Sequence, residues 1–389
     1  MLLVIKSAVK YVFGALPVLS TVSTYGQDAL KYRFQLYDEE DGRIDVESHY
    51  LDYRLEGEST SFSLRLAVDS LSGETPTGSH SRSDPDLLNP TQWDFSSIED
   101  ERRVVVTTLE QEVDEYTLTF EYARSIEDDY RSSAFTGKVS RQFNQKNTTV
   151  TAGVAYADDT VIATGFTSIP FDRDKDTLDL NLGFSQILST NTILDLNIGY
   201  GRSEGYLADP YRLISDTFIR NDQLRAREVP ENRPDELDRF VAKATLRHYV
   251  EPANAAIQAS YRFFTNSDSI EGHTAELKWI QQVNPRLSVT PYVRYYQQTK
   301  ADYYYPTLTG TGIVGHGSND GSGAHYSSDY RLSAFDSLAY GVRLAWDVRN
   351  DLTLDIQWER YEMDGRSSGT PDIFFPTANV ISLGAQWTF

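Results

Sequence analysis

The chain has 389 residues, 57 acidic and 36 basic side chains, a net charge of −21 and no cysteine. Only 40% of residues are hydrophobic, yet aromatics make up 12%. Such aromatic content excludes a disordered chain, the acidic balance argues against a nucleic-acid partner, and the missing cysteines exclude disulfides, thiolate zinc and a lipid-modified cysteine.

The N-terminus reads as an address. Lys6 and Lys10 are the only charged residues among the first 26, the apolar stretch Tyr11–Val22 follows, and Thr24 and Gly26 supply small residues at the −3 and −1 positions of a cut. This is the pattern of a secretory signal peptide over residues 1–26, cleaved after Gly26. No later stretch holds the roughly 18 consecutive apolar residues that a spanning helix needs.

From residue 27 onward one rhythm dominates. Phe62, Leu64, Leu66 and Val68 alternate with polar or small residues, as do Tyr116–Tyr122, Leu178–Phe184, Leu194–Tyr200, Leu338–Trp346 and Leu352–Trp358. Period two means strands with one apolar face, and runs of about 10 residues are what a tilted strand needs to cross a bilayer. Tight turns fall near Gly57, Val113–Glu115, Asn144–Asn147, Ser189–Asn191, Pro252–Asn254, Asn284–Pro285 and Val348–Asp351. Between them lie mostly longer connections, near 71–102, 157–175, 203–236, 299–334 and 363–377. Short turns at one end and long loops at the other mark an all-β, antiparallel up-and-down transmembrane β-barrel, here of about 16 strands in a single domain over 27–389. An even count puts both termini on the periplasmic side. Ile44 and Val46 sit in one register and Leu51, Tyr53 and Leu55 in the other, which predicts either a bulge or a 14-strand barrel with an N-terminal extension.

The last strand carries Ile381, Leu383, Ala385, Trp387 and Phe389 on one face and ends on the aromatic itself. Trp387 and Phe389 are therefore candidates for the signal read by barrel-assembly machinery. Together these features predict the outer membrane of a Gram-negative bacterium, with membrane lipid and lipopolysaccharide as surroundings.

Strand register also predicts which charges face the lumen. The basic candidates are Arg65, Lys138, Arg239, Lys243, Arg247, Arg262, Lys278, Arg294 and Arg343. The acidic ones are Asp69, Glu121, Asp179, Asp195, Glu276, Asp355 and Glu359. They support two readings, a salt-bridge network that stiffens the wall and charged rings that bias passing solutes. The 299–334 loop, with Tyr303–Tyr305 and a Gly-rich run, could fold inward as a constriction. The six histidines show no metal spacing, and His316 and His325 in that loop could at most bind a metal loosely. Acidic runs at Asp38–Asp41, Glu127–Asp129 and Asp172–Asp176 lack a full calcium-ligand pattern and read as hydrated surface. No Ser/His or Asp/His constellation emerges for a barrel hydrolase, so neither catalysis nor a cofactor is expected.

Several segments resemble an outer-membrane family catalogued as domain of unknown function 3570. They are Asp41–Ser48, Asp69–Gly78, Glu127–Tyr130, Phe143–Thr149, Gly205–Tyr211 and Ser327–Ser333. The resemblance implies a barrel without a settled activity. It also implies an association with exported thioredoxin-like and flavin-transferring proteins, and hence a periplasmic partner in envelope redox. Asp69, Asp329 and Arg331 lie in these segments and could close a salt bridge that pins a loop at the rim. The expectation is a porin-like channel or transport component for a small polar solute. A non-conducting scaffold docking a periplasmic or surface partner is the alternative, and a barrel hydrolase a third reading.

Overall fold

The computed structural model describes residues 28–389 apart from 82–83, 85, 88–89, 164–170 and 317–319; the signal-peptide segment lies outside the described residues. The first strands are β1 (Ala29–Glu39), β2 (Ile44–Glu56), β3 (Thr60–His80), β4 (Trp93–Val113), β5 (Tyr116–Ile126) and β6 (Tyr130–Phe143). They continue as β7 (Thr148–Ala163), β8 (Phe171–Ser189), β9 (Thr192–Gly205), β10 (Leu213–Arg220), β11 (Gln223–Pro230) and β12 (Glu236–Val250). The last are β13 (Ala255–Asn266), β14 (Glu271–Asn284), β15 (Leu287–Gln298), β16 (Phe335–Arg349), β17 (Leu352–Gly365) and β18 (Thr377–Thr388). Sixteen of them form a closed antiparallel barrel in which each strand pairs with its neighbours in sequence, β9 pairs with β12, and β1 pairs with β18. β10 and β11 form a separate hairpin between β9 and β12. Its turn places both Asn221 and Asp222 at positive φ, the backbone of a two-residue type I′ turn.

The period-two reading holds through the wall. Every barrel strand exposes large apolar side chains on its outer face, among them Leu66, Leu109, Phe120, Leu182, Ile198, Leu277, Leu344 and Leu383. So continuous an apolar belt demands a lipid environment. Closure removes sheet edges, so all backbone groups within that belt pair inside the sheet.

No bulge or missing strand explains the shift of pattern near Ile44. β2 pairs without a break against both β1 and β3. Ile44 and Val46 point inward, where they pack with Leu71 in a buried cluster, while Leu51 and Leu55 face outward. The apolar face swaps sides because the surroundings do. At bilayer depth the outside is apolar, and nearer the loops the inside becomes a packed core.

The loop-rich end differs from the sequence reading in another way. β3 and β4 each run for 21 residues, about twice the bilayer requirement. Much of 71–102 is therefore strand projecting past the membrane, where a polar outer face hides the alternation. The hairpin inside 203–236 was likewise not foreseen.

Candidate functional site

Two charged assemblies occupy the inside of this barrel. The first is a cap over the loop rim. Arg212, in the β9–β10 connection, donates from Nη1 to the Pro76 carbonyl and from Nη2 to Thr75 Oγ1 at 3.3 Å. Thr75 and Pro76 belong to β3, six positions from β9 around the wall, so the chain crosses the mouth. The His80 amide of β3 donates to Ser215 Oγ at 2.9 Å, and Ser328 Oγ donates to the Leu213 carbonyl at 2.7 Å. Gly78 makes this approach feasible: its φ is +94°, and a Cβ there would lie 2.8 Å from the Leu213 oxygen.

Six charged residues knit the cap together. Arg331 binds both Asp209, at 3.0 Å, and Asp329. Arg233 binds Glu231 and Asp329, each at 2.7 Å, and Arg212 lies 3.5 Å from Asp209. Three arginines balance three acids, as buried charges require. Burial alone would raise the Asp329 carboxyl, but Arg331, Arg212 and Arg233 outweigh it and hold the group well below the usual carboxylate range. For Glu231 the balance reverses: burial dominates over Arg233 and raises its pKa.

Asn232 joins the two longest loops. Its backbone pairs with Tyr326 in both directions, at 2.9 and 2.8 Å. Its Nδ2 donates to the Ser322 and Ala324 carbonyls, and its Oδ1 accepts from the Gly321 amide. Tyr304 reaches Thr370 of the β17–β18 connection, and Tyr303 donates to Asp268 at 2.7 Å. Tyr330 packs with Phe335, Met363, Phe374 and Phe375. The described residues of 299–334 thus fold against their neighbours over the mouth.

The second assembly is the lumen wall. Arg65 pairs with Asp52 at 2.5 Å, Arg247 with Asp195 at 2.9 Å, and Lys278 with Glu276 at 3.2 Å. Arg343 and Arg33 share Asp355 at 3.0 and 3.1 Å, and Arg239 meets Asp179 at 3.3 Å. Glu121 accepts from Thr108 at 3.1 Å, and Glu359 accepts from the Tyr292 hydroxyl at 2.6 Å. Lys138 lies on the same inner face and is the side chain nearest the Cα face of Gly153.

Three of these contacts skip a strand, each over a glycine. Gly201 stands opposite both Asp179 and Arg239, Gly384 opposite both Arg33 and Asp355, and Gly341 opposite both Tyr292 and Glu359. A side chain at Gly201 or Gly384 would collide with the bridging carboxylate, at 2.1 and 2.2 Å.

The predicted tie among Asp69, Asp329 and Arg331 forms only in part. Asp329 and Arg331 bind within the cap, but Asp69 is taken by Arg102 of β4, whose Nε lies at 2.7 Å, and by the Tyr50 hydroxyl. The cause is register: Asp69 and Arg102 are direct cross-strand partners. Sequence reading missed Asp209, Arg212, Glu231, Asn232 and Arg233. Asp209 lies in the quoted Gly205–Tyr211 segment, but nothing local showed it to be buried.

The histidines are scattered. His49 and His273 lie on the outer face within hydrogen-bond distance of the Tyr32 and Tyr261 hydroxyls, and His325 bonds the Gly321 carbonyl. Tyr296 packs inward against Phe335. Among the described residues, Asp100, Glu127 and Asp129 are the one group of carboxylates close enough to share a metal ion, with their oxygens within 4.8 Å of one another.

The belt, the closure and the polar interior define an outer-membrane type of β-barrel. The chain belongs to a family described as "Protein of unknown function (DUF3570)", whose model matches residues 14–372. The structure is similar to that of CdiB from Acinetobacter baumannii, with 12% identity and a TM-score of 0.52, over 94% of this chain and 60% of that one. This chain therefore spans less than two thirds of the CdiB structure. A bacterial polysaccharide outer membrane secretin matches at 7% identity and a TM-score of 0.49, over 94% of this chain and 100% of that one. OccK2 (OpdF) from Pseudomonas aeruginosa matches at 9% identity and a TM-score of 0.42, over 93% and 98%. At such identities the likeness shows the fold alone. A search of the curated proteins found no match.

Proposed function

We propose that this protein is a porin-like transport component of the Gram-negative outer membrane, passing a small polar solute through a lumen whose loop-side opening is governed by the cap. In this reading the long loops face outward among lipopolysaccharide, the short turns, the start of β1 and the end of β18 face the periplasm, and residues 1–26 are removed on export. The observation that carries it is the contrast between the two assemblies. Lumen charges such as Arg65 and Asp52 keep about a third of their side-chain surface exposed, at 35% and 33%, whereas the cap residues Asp209 and Asp329 are 0% and 1% exposed. A wetted interior beneath a dry cap is suited to gated passage.

Planar-bilayer recording tests this. Wild-type protein should show rare or small openings, and Asn232→Ala should raise open time at least tenfold. A barrel that never conducts, even after the cap is loosened, would overturn the channel reading. It would support the alternative of a non-conducting scaffold for a periplasmic or surface partner, which the buried ion network of the cap favours in its own right.

A further inference from the structure

From the arrangement of charge on one side of the lumen, we infer that β12–β15 carry a binding surface for a small multivalent oxyanion, of the carboxylate or phosphate type. The inference deepens the channel reading above and rests on it for its place in transport. Lumen-facing positions of these four strands hold Arg239, Lys243, Arg247, Arg262, Lys278 and Arg294, with Glu276 the single acid on them among the described residues. Asp179 and Asp195 lean in from β8 and β9 to Arg239 and Arg247. Counting them, positive charge still exceeds negative by three. Elsewhere on the wall the signs alternate within single clusters, as in Arg33–Asp355–Arg343 and Arg102–Asp69.

Register makes this concentration of charge unfavourable in itself. Lys243 stands directly opposite Arg262, and like charges directly opposite in a sheet repel. Gln258 stands opposite both Arg247 and Lys278, so a third and a fourth cation flank one neutral amide. Aromatic rings hold two of the cations at the wall: Arg262 lies 5.3 Å from the centre of Phe264, and Lys278 lies 5.7 Å from Tyr292. A wall concerned only with stability would alternate its signs here, as the rest of the barrel does. Clustered cations in a confined polar passage with low-dielectric walls instead concentrate anions. The amide of Gln258 and the Ser260 and Thr274 hydroxyls lie on the same face and can complete the hydrogen bonds of an oxyanion, whose several oxygens can engage more than one of them at once.

The test uses the purified full-length mature barrel in detergent at low ionic strength, titrated calorimetrically with citrate and with pyrophosphate, and with spermidine as the cationic control. Citrate or pyrophosphate should bind measurably and spermidine should not. The Lys243→Gln/Arg262→Gln/Arg294→Gln variant should bind at least tenfold more weakly. Glutamine at 243 and 262 relieves repulsion, and Glu276, which stands opposite Arg294, keeps Lys278, so the variant should fold, and retained heat-modifiable migration on gels would verify this. Equal anion binding by the variant and the wild type, or no anion binding at all, overturns the inference. Preference for citrate or for pyrophosphate tells which kind of oxyanion is favoured. In bilayers under a KCl gradient, the Asn232→Ala barrel should be anion-selective, and cation selectivity would count against the site. If no current flows, the channel reading falls while the titration still decides the binding surface.

Discussion

Arg33 and Asp355 lie on strands that do not touch, β1 and β17, and meet at 3.1 Å across β18. Gly384 lies between them, paired with Arg33 on one side and Asp355 on the other. The bridge therefore ties together the seam at which the first and last strands close the barrel. A methyl group at position 384 would meet the Asp355 carboxylate at 2.2 Å and push it off Arg33. Gly384→Ala should lower the temperature at which the folded band is lost on gels, by an amount matching the loss of one half-buried charged hydrogen bond, about 1–3 kcal/mol. In an Arg33→Ala background the same glycine change should have little further effect, because neighbouring residues couple only through the interaction they share. Additive effects would show that Gly384 matters for some other reason.

Asn232 makes the next prediction. Its carboxamide satisfies two carbonyls and one amide of the 320–324 segment and is wholly buried. Asn232→Ala removes these three hydrogen bonds, each contributing about 0.5–1.5 kcal/mol, from the contact between the two loops. The wall does not depend on them, so the cap should loosen while the barrel persists. Limited proteolysis should cut within 206–235 and 299–334 in the variant, under conditions where the wild type resists, with the heat-modifiable core intact in both. Loss of the whole barrel would mean that cap and wall fold as one unit.

The wall was legible in the sequence because lipid imposes a strict rule on it. Runs such as Leu178–Phe184 and Leu338–Trp346 must be apolar at every second position, so their register, and with it the inward direction of Arg239 or Asp355, follows from local pattern alone. The cap obeys no such rule. Asp209, Arg212, Glu231 and Arg233 are charged residues in long polar connections, and locally they look like solvated surface. Their burial comes from partners more than 90 residues away, such as Ser327 against Glu231. The same limit explains β2. Ile44 seems out of register only because the residues it packs against inside the barrel, Leu71 and Ile98, are distant from it in sequence.

Acid should act on the cap through Asp329. Its folded pKa is depressed, so its stabilising contribution is fully present above the unfolded value of about 3.9 and fades as pH falls through the folded value. Glu231 has a raised pKa and works in the opposite sense, favouring the folded cap at low pH and losing that contribution as pH rises through its folded value. Asp329 engages Arg331 and Arg233 together, so its loss should dominate at the acid extreme. Amide hydrogen exchange in 326–333 should accelerate as pH falls below about 4, after correction for intrinsic rates. Asp329→Asn should show fast exchange already at pH 6 and a flatter acid response. An unchanged acid response in that variant would assign the effect to another carboxylate.

The end of the chain supplies the last prediction, which concerns assembly rather than final stability. Trp387 and Phe389 are exposed on the turn rim, 45% and 52%, with ring centres 4.8 Å apart, and Trp387 Nε1 donates to Asp351 at 3.2 Å. The Phe389 amide bonds the Asp28 carbonyl at 2.9 Å, but its ring adds little buried area. Phe389→Ala should therefore leave the melting of the finished barrel almost unchanged, within about 0.5 kcal/mol, as for an exposed substitution. If the terminal aromatic is what the assembly machinery reads, the same change should reduce the folded barrel recovered from outer membranes several-fold while unfolded chain accumulates in the periplasm. Refolding into detergent without that machinery should not discriminate between the two proteins. Equal recovery in cells would remove the terminal ring from any role in assembly, and equal impairment in detergent would make it a structural residue.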